Sequence, residues 1–458
     1  VQDSFKKGLR DAPWALLCPF WALFCLALLA TPLGTWAAQG PKALKRAERV
    51  TRLGSGQIEM CLSCHFEELD KAHSREAAGC WSCHLGNPLA GTPELAHKGM
   101  VLNPGELQVV EKTCGRSGCH ATDARDIKKT LMATNRGIIS TLRFYWGEED
   151  DNESKLTVEE LIRTGKNSPA LDYFRKLCGT CHLWLERHRY PGFLGEKGGG
   201  CSACHLKERE QGTKGAPHPR VTKAIGLENC VRCHNRSGRI GLSYQGKYES
   251  EGYGTPFDGA DFSESQLPDG RFIWKGLPPD VHFTKGLVCI DCHTRKEAMG
   301  DGSSHAHLEE QVEIKCSTCH TGQKELSRLV AGMDDDKSRL PKITGLKREI
   351  DGAIFQEGKL NKKRYRLSPP DDRCMSPVHE RLSCQACHSR WVPQCYGCHV
   401  RMDGSREQLD KLKGEATPGL WQEYRSFIRL ESPVLGVKMA HTIRDVAQKE
   451  EIVILVPG

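Results

Sequence analysis

Cys384-Gln-Ala-Cys387-His388-Ser-Arg-Trp391-Val392-Pro393-Gln-Cys395-Tyr-Gly-Cys398-His399 holds one five-residue pattern twice. The pattern, Cys-x-x-Cys-His, occurs nine times, ending at His65, His84, His182, His205, His234, His293, His320, His388 and His399. A tenth copy, Cys114-Gly-Arg-Ser-Gly-Cys119-His120, carries four residues between its cysteines. A Cys-x-x-Cys-His run is an attachment site for c-type haem. Two thiols add to the two haem vinyl groups, and the adjacent histidine comes under the iron as its proximal ligand. Zinc is the competing reading, but zinc sites are built from paired Cys or His clusters. Nothing in zinc chemistry requires a histidine directly after every second cysteine. Ten covalent haems c are therefore expected. Their attachment cysteines are Cys61, Cys64, Cys80, Cys83, Cys114, Cys119, Cys178, Cys181, Cys201, Cys204, Cys230, Cys233, Cys289, Cys292, Cys316, Cys319, Cys384, Cys387, Cys395 and Cys398. The ten motif histidines, His120 among them, are the expected proximal iron ligands.

Composition agrees with that reading. The 458 residues are long enough for several ordinary domains. Yet 46 Gly and 23 Cys make up much of the apolar share, and neither builds an aliphatic core. Ten porphyrins would supply the missing apolar mass. The expected fold is mainly α with much irregular loop, a multihaem cytochrome c fold whose core is a packed haem array. The formal charge of +7 does not argue for nucleic acid. Two propionates per haem against one positive charge at each ferric centre bring a ten-haem protein to about −3. No aromatic-rich basic patch stands out either. Since 20 of the 23 cysteines sit in motifs, a disulfide framework is excluded as their main use. Cys18, Cys25 and Cys374 are left over. The first two read as apolar filler. Cys374 reads as an unreactive thiol or as one that handles a sulfur substrate.

Residues 1–38 read as an export segment. Lys6, Lys7 and Arg10 precede an uncharged stretch from Trp14 to Ala38, and Thr35-Trp36-Ala37 offers a small-x-small cleavage site. Cleaved signal peptide and retained membrane anchor both stay open, because the stretch is long enough to span a bilayer. Either way the chain is exported, to the periplasm or the cell surface. Gln39–Met60 reads as a linker. The decahaem region spans 39–400, with long gaps after His120, His234 and His320 dividing it into groups at 58–150, 168–240, 280–330 and 374–400. Residues 401–458 carry no motif. Thr157 with Glu160 forms a capping box for a helix over Val158–Thr164, and Ser168-Pro169 starts another that leads through Leu171, Phe174 and Leu177 to Cys178. Ile127–Asn135 reads as a helix, and Ser405 with Gln408 opens one through Lys413, closed by Gly414. Glu251–Asp280 reads as an irregular loop or small hairpin, and Ile452–Val456 as a strand. The acidic runs Glu148–Glu153 and Asp334–Asp336 read as solvated faces.

Nine histidines lie outside the motifs: His73, His97, His188, His218, His282, His305, His307, His379 and His441. A low-spin haem wants a second strong axial ligand, commonly His or Met. A lone histidine is ordinarily a surface residue. Here nine spare histidines for ten haems read as distal ligands, with one of His305 and His307 idle. None lies between His97 and His188, and the haem of His120 sits in that gap on the odd motif. It is the expected site of a missing histidine. Met132, Lys128 or Lys129, an open catalytic face, or a distant histidine are the alternatives there.

With its ten motifs, the chain resembles periplasmic multihaem c-type cytochromes over residues 58–400. The close pair at Leu382–His399 is similar to the octahaem tetrathionate reductase and hydroxylamine oxidoreductase-like grouping, whose members have eight haems. The resemblance implies electron transfer through ten covalent haems, from a quinol-oxidising membrane complex to a terminal acceptor or another cytochrome. The alternative is an oxidoreductase acting on a small nitrogen or sulfur compound at one haem without a distal histidine. No catalytic residue of those relatives maps onto this sequence. A homo-oligomer is compatible with the sequence.

Overall fold

In the computed structural model each motif is a single helical turn closed on itself. The backbone N–H of His65, His84, His205, His234, His293 and His320 donates to the carbonyl of the first cysteine of its own motif at 2.9–3.1 Å. Residues three and four apart share one helical face, so this bond sets both sulfurs and the imidazole on the same side. The longer tenth copy closes in the same way, with the His120 N–H donating to Cys114 O at 3.0 Å. Its two additional residues are absorbed at Gly118, whose φ of 84° suits glycine. The structure describes residues 50–65, 73–74, 77–207, 218–235, 240–250, 263–266, 272–275, 277–333, 340–343, 345–349, 351–393, 398–425, 432–438 and 451–455. The export segment with Cys18 and Cys25, the run Asp334–Asp336, Cys395 and His441 lie outside these residues. Among those described, no helix is long and apolar enough to cross a membrane.

Elements between the motifs are short. The longest α-helices are Arg136–Tyr145 and Gln323–Ala331, and every sheet has only two or three strands. The start signals at Thr157 and Ser168 hold. Thr157 accepts from the Glu160 N–H at 3.2 Å, and Ser168 from the Leu171 N–H at 3.3 Å, opening Val158–Thr164 and Pro169–Tyr173. The second helix continues as a π-turn, Phe174–Cys178, straight into the fourth motif. Ile452–Val456 is in part a strand, Glu451–Ile454. Within Glu251–Asp280 the described stretches are the strands Ser263–Gln266 and Phe272–Lys275, which join Lys247–Ser250 in a three-stranded sheet.

Several expectations are corrected. The helix over Ser405–Lys413 does not form. Cys398–Asp410 is a strand, paired antiparallel with Glu415–Arg425 in the longest hairpin described. Ser405 sits at a register shift between Asp403 and Glu407, with its hydroxyl on Asp403 Oδ1 at 2.7 Å. Gln408 reaches across the hairpin and accepts from the Trp421 N–H at 2.8 Å. The helix over Ile127–Asn135 is broken into Ala121–Ile127 and Leu131–Thr134, because Thr130 turns out to cap the second piece. Gln39–Met60 is not linker throughout, since Thr51–Arg52 pairs with Ile58–Glu59. The run Glu148–Glu153 is not merely solvated. Glu148 accepts from the Ser168 hydroxyl at 2.6 Å and the Ala170 N–H at 2.9 Å, and Arg143 pairs with both Glu148 and Glu149.

An aliphatic core exists that the composition did not suggest. Leu107, Val110, Ile139, Val158, Leu161, Leu171 and Phe174 are almost wholly buried in one cluster, which fills the long gap between the third and fourth motifs. A smaller cluster around Leu326, Leu329, Ile343 and Ile354 fills the gap after His320. The hairpin is pinned to the first cluster by two buried cations. Arg175 is 1% exposed and faces Asp410 at 3.5 Å, while also donating to Leu161 O and Lys166 O. Lys176 donates to Pro418 O and Gly419 O and pairs with Asp172 at 3.0 Å.

Candidate functional site

Four motif histidines face a histidine from outside the motifs. Ring centroids are 6.0 Å apart for His65 and His97, 6.4 Å for His120 and His73, 5.8 Å for His84 and His218, and 6.0 Å for His320 and His282. Metal–imidazole bonds are about 2.0–2.1 Å long. Adding the distance from ring centre to nitrogen on each side, two imidazoles on opposite sides of one metal have centroids about 6.3 Å apart. The four observed separations all lie within half an ångström of that value. In the closest pair the two Nε2 atoms face each other at 3.5 Å.

The other ring nitrogen is oriented at most of these residues. His84 Nδ1 lies 2.7 Å from Val101 O, His205 Nδ1 2.9 Å from Thr222 O, and His218 Nδ1 2.8 Å from Pro219 O. A carboxylate does the same work at His282, where Asp280 Oδ1 is 2.9 Å away, and at His293, where Glu297 Oε2 is 2.6 Å away. An Nδ1–H so engaged fixes the tautomer that leaves Nε2 as the ligand atom. Two of these clamps are copies of one local unit. Val101 follows His84, and Thr222 follows His205, by 17 residues, and each also returns its N–H to the motif histidine's carbonyl at 2.8 Å. His97 and His218 occupy the same position within the two units, a repeat legible in the sequence as His-x12-His.

One continuous cavity of about 3570 Å³ is lined by both cysteines and the histidine of each of the first six motifs, and by His73, His97 and His218. A pocket for one drug-sized ligand is about 300–1,000 Å³, so this space suits several large groups side by side. The groups at 58–150 and 168–240 thus line a common cavity. Sulfurs of different motifs also adjoin. Thiols hydrogen-bond between Cys61 and Cys80, Cys181 and Cys233, Cys230 and Cys289, and Cys316 and Cys384. Cys201 neighbours Cys114, Cys204 neighbours Cys233, and Cys292 neighbours Cys319. The motifs therefore follow one another in space as third, fifth, sixth, seventh, eighth and ninth. The fourth branches from the sixth. The first and second adjoin each other and are linked to the rest through His73 and His218.

The expectation that His120 is the site without a histidine partner is corrected, because His73 faces it. The odd site is the fourth motif. Its turn is not closed by its histidine; instead the Thr180 and Cys181 N–H groups donate to Cys178 O. His182 is 3% exposed, its Nε2 lies 3.1 Å from Gly179 O, and its Nδ1 has no hydrogen-bond partner. Burial pushes its pKa down to about 4. Among the described residues no histidine ring faces it. Lys197 Nζ lies 3.7 Å from the sulfur of Cys181. Met132 lies beside this motif, since its carbonyl accepts the Leu183 N–H at 3.0 Å. The alternatives weighed for His120 therefore move to His182.

The remaining spare histidines are not set up as ligands in this arrangement. His305 is held between Asp301 at 3.3 Å and Glu310 at 3.9 Å, and His307 Nε2 lies 2.6 Å from Asn152 O. His188 is exposed, at a left-handed φ of 60°. His379 has its Nδ1 on Arg373 O at 2.7 Å, which leaves Nε2 available, but among the described residues no motif histidine faces it. Cys374 is exposed. A grouping of Glu59 with Cys61 and Cys80 has the spacing of metal ligands, yet Glu59 accepts the N–H of Cys80 and of Trp81 at 3.0 Å each and so caps the second motif's turn. No protein-family model matches the chain, and no solved structure matches it.

Proposed function

We propose that the chain is an exported multihaem c-type cytochrome. It transfers electrons along ten covalently bound haems, between a quinol-linked membrane donor and a terminal acceptor. The observation that carries this reading is the set of four facing imidazole pairs, each of which joins one motif histidine to one histidine outside the motifs. Random surface histidines have no reason to sort in that way. Cys61 and Cys64 with His65 and His97 would hold the first group; Cys80 and Cys83 would act with His84 and His218. Cys114 and Cys119 would act with His120 and His73, and Cys316 and Cys319 with His320 and His282. Bound haem supplies an iron that exchanges one electron while keeping its ligands. The Nδ1 contacts hold the imidazoles in register, so little rearrangement accompanies that exchange. The adjoining sulfurs bring the attachment edges of successive sites together, as transfer through a thin polypeptide requires. The resemblance to periplasmic multihaem cytochromes points the same way, as do the export segment and the small or negative charge expected of the loaded chain.

A specific observation supports a second reading, in which a small nitrogen or sulfur compound is turned over at the fourth motif. His182 has no facing histidine among the described residues, and it stands at the end of a branch. Electron paramagnetic resonance of the oxidised holoprotein separates the two. The carrier reading expects low-spin ferric signals that nitrite, hydroxylamine and sulfite leave unmoved. A high-spin signal that shifts with one of these ligands, and disappears on disrupting the fourth motif, overturns it in favour of the second.

A further inference from the structure

Most oriented histidines here donate Nδ1–H to a neutral backbone carbonyl, but His293 faces a buried carboxylate. The Glu297 side chain is 3% exposed and its Oε2 lies 2.6 Å from His293 Nδ1. Its other oxygen accepts the backbone N–H groups of Glu313 and Ile314 at 2.7 Å each, and Oε2 also accepts from the Thr294 N–H at 3.3 Å. Four donors therefore hold this carboxylate in one position and favour its ionised form. Hydrogen bonds with an ionised partner are roughly twice as strong as neutral ones. A carboxylate on the outer nitrogen raises the basicity of the ligating nitrogen. A more basic axial ligand favours ferric over ferrous iron, and outer hydrogen bonding is one of the levers on haem potential.

We propose that Glu297 is a positioning residue that holds the His293 imidazole and lowers the reduction potential of the haem at the seventh motif below those clamped by Val101 and Thr222. The inference rests on the haem reading of the motifs. Its consequence is directional. Cys289 adjoins the sixth motif and Cys292 the eighth, so a low-potential site there forms a step between the six-motif cavity and the last motifs.

The test is a spectroelectrochemical titration of the holoprotein in Glu297→Gln, Glu297→Asp and, as a control, Glu325→Gln, which removes an exposed carboxylate that pairs with Arg328. Gln retains an oxygen for the Glu313 and Ile314 N–H groups but removes the charge. Asp retains the charge but draws it away from His293. In E297Q one midpoint is expected to rise by at least tenfold in its reduction equilibrium, about 59 mV for one electron. In E297D it rises by less, and in E325Q not at all. Unchanged midpoints in both Glu297 variants with ten haems attached overturn the proposal. So does an equal rise in E325Q, which means a general field effect, or loss of the seventh haem from both Glu297 variants, which means a purely structural role. A wild-type protein without haem on Cys289 and Cys292 defeats the haem reading instead, and counting haem on that peptide keeps the two failures apart.

Discussion

His84, His205, His218, His282 and His293 each commit Nδ1 to an acceptor and leave Nε2 for a ligand, whereas His305 and His307 have Nε2 engaged by Asp301 and by Asn152 O. That difference sorts the spare histidines into ligands and bystanders. Replacing His97 or His73 by alanine is expected to convert one low-spin ferric centre to high-spin, read as a new signal in the paramagnetic resonance spectrum. His305→Ala is expected to leave the spectrum alone. A silent His97→Ala and a high-spin His305→Ala together contradict the assignment. The sequence could count these histidines against the motifs, because ligand chemistry is a property of residue type. It could not sort them. His73 reaches His120 and Asn152 reaches His307 only once segments far apart in the chain have packed. The Glu297 contact, by contrast, has a local signal, since it is four residues from His293 on the same turn.

The hairpin of Cys398–Asp410 and Glu415–Arg425 shows how tertiary contacts override a local signal. Ser405 and Gln408 have the spacing of a capping box, yet Asp410 and the carbonyls of Pro418 and Gly419 are the partners that Arg175 and Lys176 need when buried. Breaking a buried ion pair by removing one partner costs about 3–5 kcal/mol. Arg175→Met is therefore expected to lower the unfolding free energy by about 3 kcal/mol or more, seen as a lower urea midpoint with an unchanged slope. A loss under about 1 kcal/mol shows that the pair does not anchor the hairpin. The start signals at Thr157 and Ser168 were legible because a cap is satisfied within four residues of chain. The same holds for the motif turns. In the Cys114 copy the His120 N–H still reaches Cys114 O despite the two additional residues, so the peptide with Cys114 and Cys119 is expected to carry one covalent haem in a digest. Finding it unmodified beside nine modified motifs rejects that equivalence.

At the scale of the whole chain, the number of attachment sites is written in the sequence, while their order in space is not. Attachment needs only five or seven consecutive residues. Order depends on contacts such as Cys230 with Cys289 and Cys316 with Cys384, across gaps where the sequence shows no motif. The same gaps hide the aliphatic clusters that brace the array, because Leu107, Ile139 and Phe174 lie on separate short elements. The central claim is that ten haems are bound covalently along this chain. Intact-mass spectrometry after acid–acetone extraction tests it most directly, on protein produced where c-type haem is attached. The expected result is a polypeptide that retains the mass of ten haems, with one on each motif peptide. Haem that washes out, or motifs that hold zinc in its place, contradicts the account.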